Sequence, residues 1–482
     1  MTSSYRRTFI RLLSSISVCF SIMIISGCFA VGPDYVRPDT TVYKNWNTSL
    51  KSDSGKKGTD TQNLTNWWIA LGDPILSSLI ERAQRSNLDL KKAQASIREA
   101  RARRGLAKAD FYPAIDATGS ASRSRSSQNS GGGVTSDLYA AGFDASWELD
   151  VFGGVRRSVE AAQANLEASQ ENLRDVLVSL LAEVAKNYVD VRTYQARIAI
   201  AEDNLKSQEE TYQLTVWRNQ AGLSDELAVQ QARYNLESTR SGIPTLRTGL
   251  EDAMNSIAIL LGEQPGKVHK ELMKRESIPV TPLNIAMGVP ADIMRRRPDI
   301  RKAERELASQ TAKIGVATAD LYPKLTLSGS IALNALSTSD LFSSGSKTYS
   351  FGPSVTIPIF DGGSIRNNIE VQSALQEQYL IAYETAVLNA LKEVENALAA
   401  YVQEQYRRQA LIDAAAAAKQ AAQLAKTKYQ AGLSDFSDVL DAERSLLSYE
   451  DELAISEGMV TTGLISLYKA LGGGWISSQN EY

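Results

Sequence analysis

The stretch NQAGLSD at Asn219–Asp225 returns as YQAGLSD at Tyr429–Asp435, 210 positions later, and its reading decides the fold. Each copy ends a long run without Gly or Pro, from Val155 to Gln220 and from Ser364 to Ala431. Such a run reads as one helix of roughly 100 Å at 1.5 Å per residue, several times the ordinary globular length. Gly222 and Gly432 supply the left-handed residue that follows a last helical turn. Ser224 or Asp225, and Ser434 or Asp435, then stand where a returning helix takes its N-cap. The heptapeptide is therefore the tip of a helical hairpin, and the chain builds two.

Working outward, the same 210-residue offset pairs ADFYPAIDATGS (109–120) with ADLYPKLTLSGS (319–330). It also sets Asp89, Lys92, Ala93 and Gly105 on Asp299, Lys302, Ala303 and Gly315. A unit this long is a duplicated block of supersecondary structure rather than a solenoid repeat. Along the first long run the stripe Val159, Leu166, Leu173, Leu180 gives way to Val184, Val191, Ile198, Leu205, Tyr212. The step of four is a stutter, which changes coiled-coil winding locally. Ahead of each long run the period falls to two. Tyr139, Phe143, Trp147 and Leu149 alternate with Asp144, Ser146, Glu148 and Asp150; Leu325, Leu327, Ile331 and Leu333 alternate with Thr326, Ser328, Ser330 and Asn334. These are strands with one apolar and one polar face. Ser/Gly-rich SRSRSSQNSGGGVTS and STSDLFSSGSK join them, so each copy carries one hairpin. A soluble sandwich and a membrane barrel both accept such strands. Four strands cannot close a barrel alone, for which about eight is the lower limit. Three chains would pool about twelve and leave a lumen.

Charge and composition narrow the function. Formal net charge is −3, and −6 without the three arginines of residues 1–27, a poor balance for binding nucleic acid. His269 is the one histidine, and Cys19 and Cys28 are the two cysteines, so no metal cluster or disulfide framework can be drawn. No nucleophile–base pair or phosphate-cradling loop is recognisable, and an enzyme is not expected. Arg6, Arg7 and Arg11 precede a short apolar run, and IISGC ends at Cys28. This reads as a leader over 1–27. IISGC resembles the bacterial lipobox, which implies a covalent lipid on Cys28; no cofactor is expected.

Several motifs then carry a wider resemblance. They are GPDYVRPD after Cys28, WWIALGDPILSSLIERAQRSNLDL (67–90), RRPDIRKAE (296–304), IPIFDGG, DVLDAERSLL (438–447) and SLYKALGGGW (466–475). Together they resemble the TolC-like outer-membrane factors of the lipoprotein, NodT-type branch. The resemblance implies a mainly α protein with membrane β: a homotrimeric channel whose shared twelve-stranded outer-membrane barrel continues into a long periplasmic α-helical barrel. It implies partners too, a periplasmic adaptor and an inner-membrane pump. Along the chain it implies a lipid-anchored segment at 28–66, a first repeat at 67–262 and an equatorial linker at 263–294. A second repeat at 295–474 and a tail at 475–482 follow.

By the same resemblance, Gly222, Leu223, Ser224, Gly432, Leu433 and Ser434 dock the adaptor, and Asp441 rings the periplasmic gate. Ser437 stands where some relatives carry a bulky apolar residue, which leaves Asp438 as a second member of the ring. The plainer reading of either Asp is a solvated helix face or a local pair with Arg444. A rival for the whole chain is a lipid-anchored structural coiled-coil lipoprotein or adhesin without a pore.

Overall fold

The structure, a computed structural model, describes residues 30–39, 43, 46–47, 64–279 and 296–475. The leader with Cys28, most of the segment before Leu64, residues 280–295 and the tail beyond Trp475 lie outside the described residues. The labelled helices are α1 (Pro74–Ser86), α2 (Leu88–Ala109), α3 (Gly154–Gln220), α4 (Glu226–Leu260), α5 (Pro298–Ala319), α6 (Ser364–Gln430) and α7 (Phe436–Ala470). The strands are β1 (Ala114–Arg125), β2 (Thr135–Leu149), β3 (Lys324–Ala335) and β4 (Lys347–Thr356). The two runs without Gly or Pro fall on α3 and α6, helices of 67 residues each. The chain divides into two compact units.

The first unit joins residues up to Asp39 with Ser96–Ser169 and Lys302–Tyr383. Two aspartates mark where strand gives way to helix in it. Asp150 accepts from the amides of Val155 (2.9 Å) and Arg156 (3.0 Å), and Asp361 from those of Gly363 (2.9 Å) and Ile365 (2.8 Å). Each caps the first turn of a 67-residue helix whose amide donors have no partner within the helix. Those amides hold the Asp361 carboxyl below its usual range. The strands form one antiparallel sheet in the order β1-β2-β3-β4. β2 pairs with β3, so the two repeats are joined in a single sheet, with Phe143 opposite Ile331. Ala117, Phe143, Ile331 and Tyr349 make one apolar row across all four strands. The adjacent row, Asp116, Asp144, Ser330 and Ser350, is polar and lies on the other face. The Ser330 and Ser350 hydroxyls meet at 2.9 Å, and Thr118 donates to Asp144 at 2.9 Å.

Residues 30–34 are strapped onto this unit. Arg157, almost wholly buried, donates to the carbonyls of Val31 (3.1 Å) and Gly32 (3.3 Å) and to the carboxylates of Asp34 (2.7 Å) and Glu160 (2.8 Å). Gly32 has φ +88°, and a Cβ there would meet the Gly315 Cα at 2.4 Å.

The second unit joins Thr40–Ala95, Gln170–Arg301 and Glu384–Tyr482. Its aromatic centre is Trp67, stacked on Tyr468 at 5.2 Å and edge-on to Trp68 at 5.9 Å. Asp73 caps α1 by accepting from Ile75 (2.9 Å) and Leu76 (3.1 Å), and it also accepts from the Tyr188 hydroxyl. Arg192, with no exposed surface, donates to Tyr188 (2.9 Å), Gln195 (2.8 Å) and the Lys274 carbonyl (2.7 Å). Burial and the bond to Asp73 push the Tyr188 hydroxyl upward. This network ties α3 to the start of α1 and to the segment after α4.

Gly32→Ala places an L side chain at a left-handed φ and against backbone, costing roughly 1–3 kcal/mol of local stability. Limited proteolysis of the intact protein will cut the strap several-fold faster in the variant, while the sheet keeps its circular-dichroism signal.

Candidate functional site: the helical tips and the exposed face of α7

Both tips close by one device. At the first, the Leu223 amide donates to Arg218 (2.8 Å) and the Gly222 amide to Asn219 (2.9 Å). At the second, Leu433 donates to Lys428 (2.9 Å) and Gly432 to Tyr429 (3.1 Å). This paired pattern is the Schellman motif, and it needs a left-handed residue. Gly222 and Gly432 provide it with φ 71° and 72°. The returning helices start differently. Asp225 caps α4 by accepting from Ala228 at 2.9 Å, whereas Asp435 occupies the N-cap position of α7 without a side-chain bond. Leu223 and Leu433 are exposed at 67% and 77%, a pair of apolar studs offered to solvent.

Arg218 links the two tips. Its guanidinium donates to the carbonyls of Tyr429 (2.8 Å) and Gln430 (3.4 Å) at the C-terminus of α6 and lies 4.6 Å from the Tyr429 ring centre. A cation there satisfies last-turn carbonyls and opposes the helix dipole. Below it, Tyr429 meets Phe436 edge-on at 5.7 Å. Ala228, Ala232, Val439 and Leu440 close the cluster. Neither Arg218 nor Tyr429 was singled out by the sequence reading. Their offset of 211 residues brings together positions that do not correspond in the two repeats.

Burial of Phe436, Val439 and Leu440 turns the other face of α7 outward. Ser437, Asp438 and Asp441 share that exposed face, as residues three and four apart on a helix must. Among the described residues neither Asp438 nor Asp441 has an ion-pair partner. Arg444 is turned away from both: it donates to Asn235 at 3.2 Å and lies 5.0 Å from the Tyr234 ring centre on α4. Local pairing with Arg444 is thus not what occupies these carboxylates. The first repeat carries Leu227, Ala228 and Gln231 at the matching positions, so its tip presents no acid there.

Leu205 and Tyr212 continue the apolar stripe and are half-buried, Tyr212 against the Tyr429–Phe436 cluster. The side chains packed inward are Asn204, Gln208, Thr211 and Thr215, one position earlier in each case or three later. Asn204 donates to Glu450 at 3.0 Å and Thr211 contacts Glu443 at 2.7 Å, both on α7. The buried seam has the coiled-coil spacing but polar content.

A sheet with apolar and polar faces and two free edges, carried with a pair of long hairpins, defines the protomer of an outer-membrane channel. No described helix is long and apolar enough to cross a membrane itself. The chain belongs to the outer membrane efflux protein family, whose model matches residues 79–263 and again 289–473. It is 34% identical over 436 residues to nodulation protein T of Rhizobium leguminosarum bv. trifolii, covering 90% of this chain and 92% of the relative. It is 33% identical over 460 residues to the cation efflux system protein CusC of Escherichia coli O6:H1, covering 94% and 97%. Among solved structures it resembles the outer-membrane channel OprN with a TM-score of 0.85 and 38% identity, over 92% of this chain and 99% of that one. The fold is that of the TolC-like channels, and membership places the protein in the bacterial outer membrane as an efflux channel rather than a poreless adhesin.

Arg218→Ala removes a charge-assisted bond and a ring contact, worth roughly 1–3 kcal/mol together. Hydrogen exchange will show residues 427–436 losing protection in that variant while residues 64–90 keep theirs.

Proposed function

We propose that three copies of this efflux channel join β1 of one protomer to β4 of the next and so close a twelve-stranded barrel. The observation that carries the reading is a four-stranded sheet in which the outer edges of β1 and β4 have no partner among the described residues and an apolar face is left open. Phe143, Ile331 and Tyr349 on that face are 63%, 71% and 86% exposed within the protomer. Lipid is the solvent that accepts such a face, and the polar row of Asp116, Asp144, Ser330 and Ser350 then lines water. The lipid on Cys28 adds a second hold on the membrane, of the kind several acyl chains give.

In this reading the channel performs no chemistry and conducts passively. Small molecules enter from an inner-membrane pump through a periplasmic adaptor that docks on Gly222, Leu223, Ser224 and on Gly432, Leu433, Ser434. The mirrored closure of the two tips and the exposed leucines support a doubled docking surface. Asp441, with Asp438 and Ser437 beside it, forms the gate. Three copies of an exposed, unpaired carboxylate brought to one axis repel each other and favour cations in the opening.

Two measurements test this. Asp441→Asn will raise single-channel conductance and weaken cation preference in planar bilayers; unchanged conductance and selectivity would remove Asp441 from the gate. Leu433→Glu will abolish efflux in cells while trimers still form, and site-directed crosslinking to the adaptor will be lost. Crosslinking at the wild-type level in that variant would contradict docking at the tips.

A further inference from the structure

Glu443 lies two residues beyond Asp441 on α7 and points the other way, into the buried seam against α3, with a relative exposure of 6%. Its contact there has an arithmetic of protons. Thr211 Oγ stands 3.0 Å from the Ser207 carbonyl and 2.7 Å from Glu443 Oε1. A hydroxyl has one proton to give. The carbonyl and an ionised Glu443 can both only accept, so an ionised Glu443 must share that one proton with the Ser207 carbonyl, whereas a protonated Glu443 brings a proton of its own. Were Glu443 ionised, its buried charge would rest on one neutral donor divided between two acceptors.

The surroundings offer little to offset such a charge. Lys426 of α6 is the charged group that acts on Glu443, and its ammonium is engaged 3.1 Å from Glu210 of α3. Arg444, the next residue on α7, is directed to Asn235 of α4. From α4 the residues buried at this level are Ala228, Ala232 and Asn235. On α3 the seam continues through Gln208, whose buried amide oxygen and nitrogen both lack partners among the described residues. A polar seam with unsatisfied groups parts more easily than an apolar one, because water can replace what packing leaves unmade.

We propose that this seam is a proton-operated latch between α3 and α7, packed when Glu443 carries a proton and loosened when it loses it. The proposal rests on the reading of α7 as the gate helix only for its consequence, conduction, and not for the latch itself. Burial raises the Glu443 carboxyl above its usual 4.5, with the Thr211 bond and Lys426 pulling the other way. The packed form therefore holds the proton more tightly than the parted form. Its extra stability is fully present below the ordinary carboxylate value and is lost as pH rises through the raised one. Falling pH favours the closed seam, and rising pH favours its release.

The test is hydrogen exchange across residues 204–215 in the intact mature protein held in lipid nanodiscs, at about pH 5 and about pH 7.5, comparing variants at each pH so that intrinsic exchange cancels. Glu443→Gln, which keeps a donor and cannot ionise, will match wild type in acid and exchange several-fold more slowly near neutrality. Thr211→Val, which removes the hydroxyl that meets Glu443, will exchange fast at both values. Equal exchange of wild type and Glu443→Gln at both values would overturn the latch, as would a Thr211→Val seam that still tightens in acid. Conductance is recorded in parallel. A seam that follows pH beneath a constant conductance supports the latch and counts against the gate reading alone.

Discussion

An unpaired backbone amide or carbonyl cannot be left in hydrocarbon, where each costs several kcal/mol. Everything else in this chain answers to that constraint. The single sheet satisfies β2 and β3 fully and leaves one edge of β1 and one of β4 open. Its exposed apolar face excludes water as a permanent neighbour, and its open edges exclude lipid. Only closure with identical sheets meets both demands. The duplication of the chain supplies two hairpins, and the β2–β3 pairing makes them one surface with one inner and one outer face.

The long helices carry a different compromise. A helix of 67 residues is stable only if a neighbour covers one face along its length. Near the membrane-facing sheet and through the middle of α3 that face is apolar: Leu166, Leu180, Leu181, Val184 and Val191 are buried. Toward the tip it becomes Asn204, Gln208, Thr211 and Thr215. Apolar packing returns at the very tip, around Tyr429, Phe436, Val439 and Leu440. Between the two apolar stretches the seam is held by hydrogen bonds, and that is the stretch to which the latch is assigned.

What the sequence made legible follows from locality. Gly222 and Gly432 need a left-handed backbone, and the uninterrupted runs before them admit nothing but helix, so the hairpins could be read directly. Alternation in Tyr139–Leu149 and Leu325–Leu333 exposed β2 and β3. By contrast β1, with AIDATGSASRSR, holds too many small residues for its period to speak, and its place was inferred from its partner. The β2–β3 register joins residues some 190 positions apart, which no local pattern encodes. The polar content of the seam was not legible, because an apolar stripe marks one side of a helix and does not show that Asn204, Gln208, Thr211 and Thr215 beside it are buried as well. Glu443 passed as one more acid in DVLDAERS, since only the approach of Thr211, 232 residues away, distinguishes it from Asp441.

Stoichiometry in lipid tests the central claim most directly. Native mass spectrometry of the mature protein released from nanodiscs will find three chains and none alone, with acyl mass on each. A stable population of single chains embedded in lipid would mean that the sheet edges are satisfied some other way, and the shared barrel would have to be abandoned.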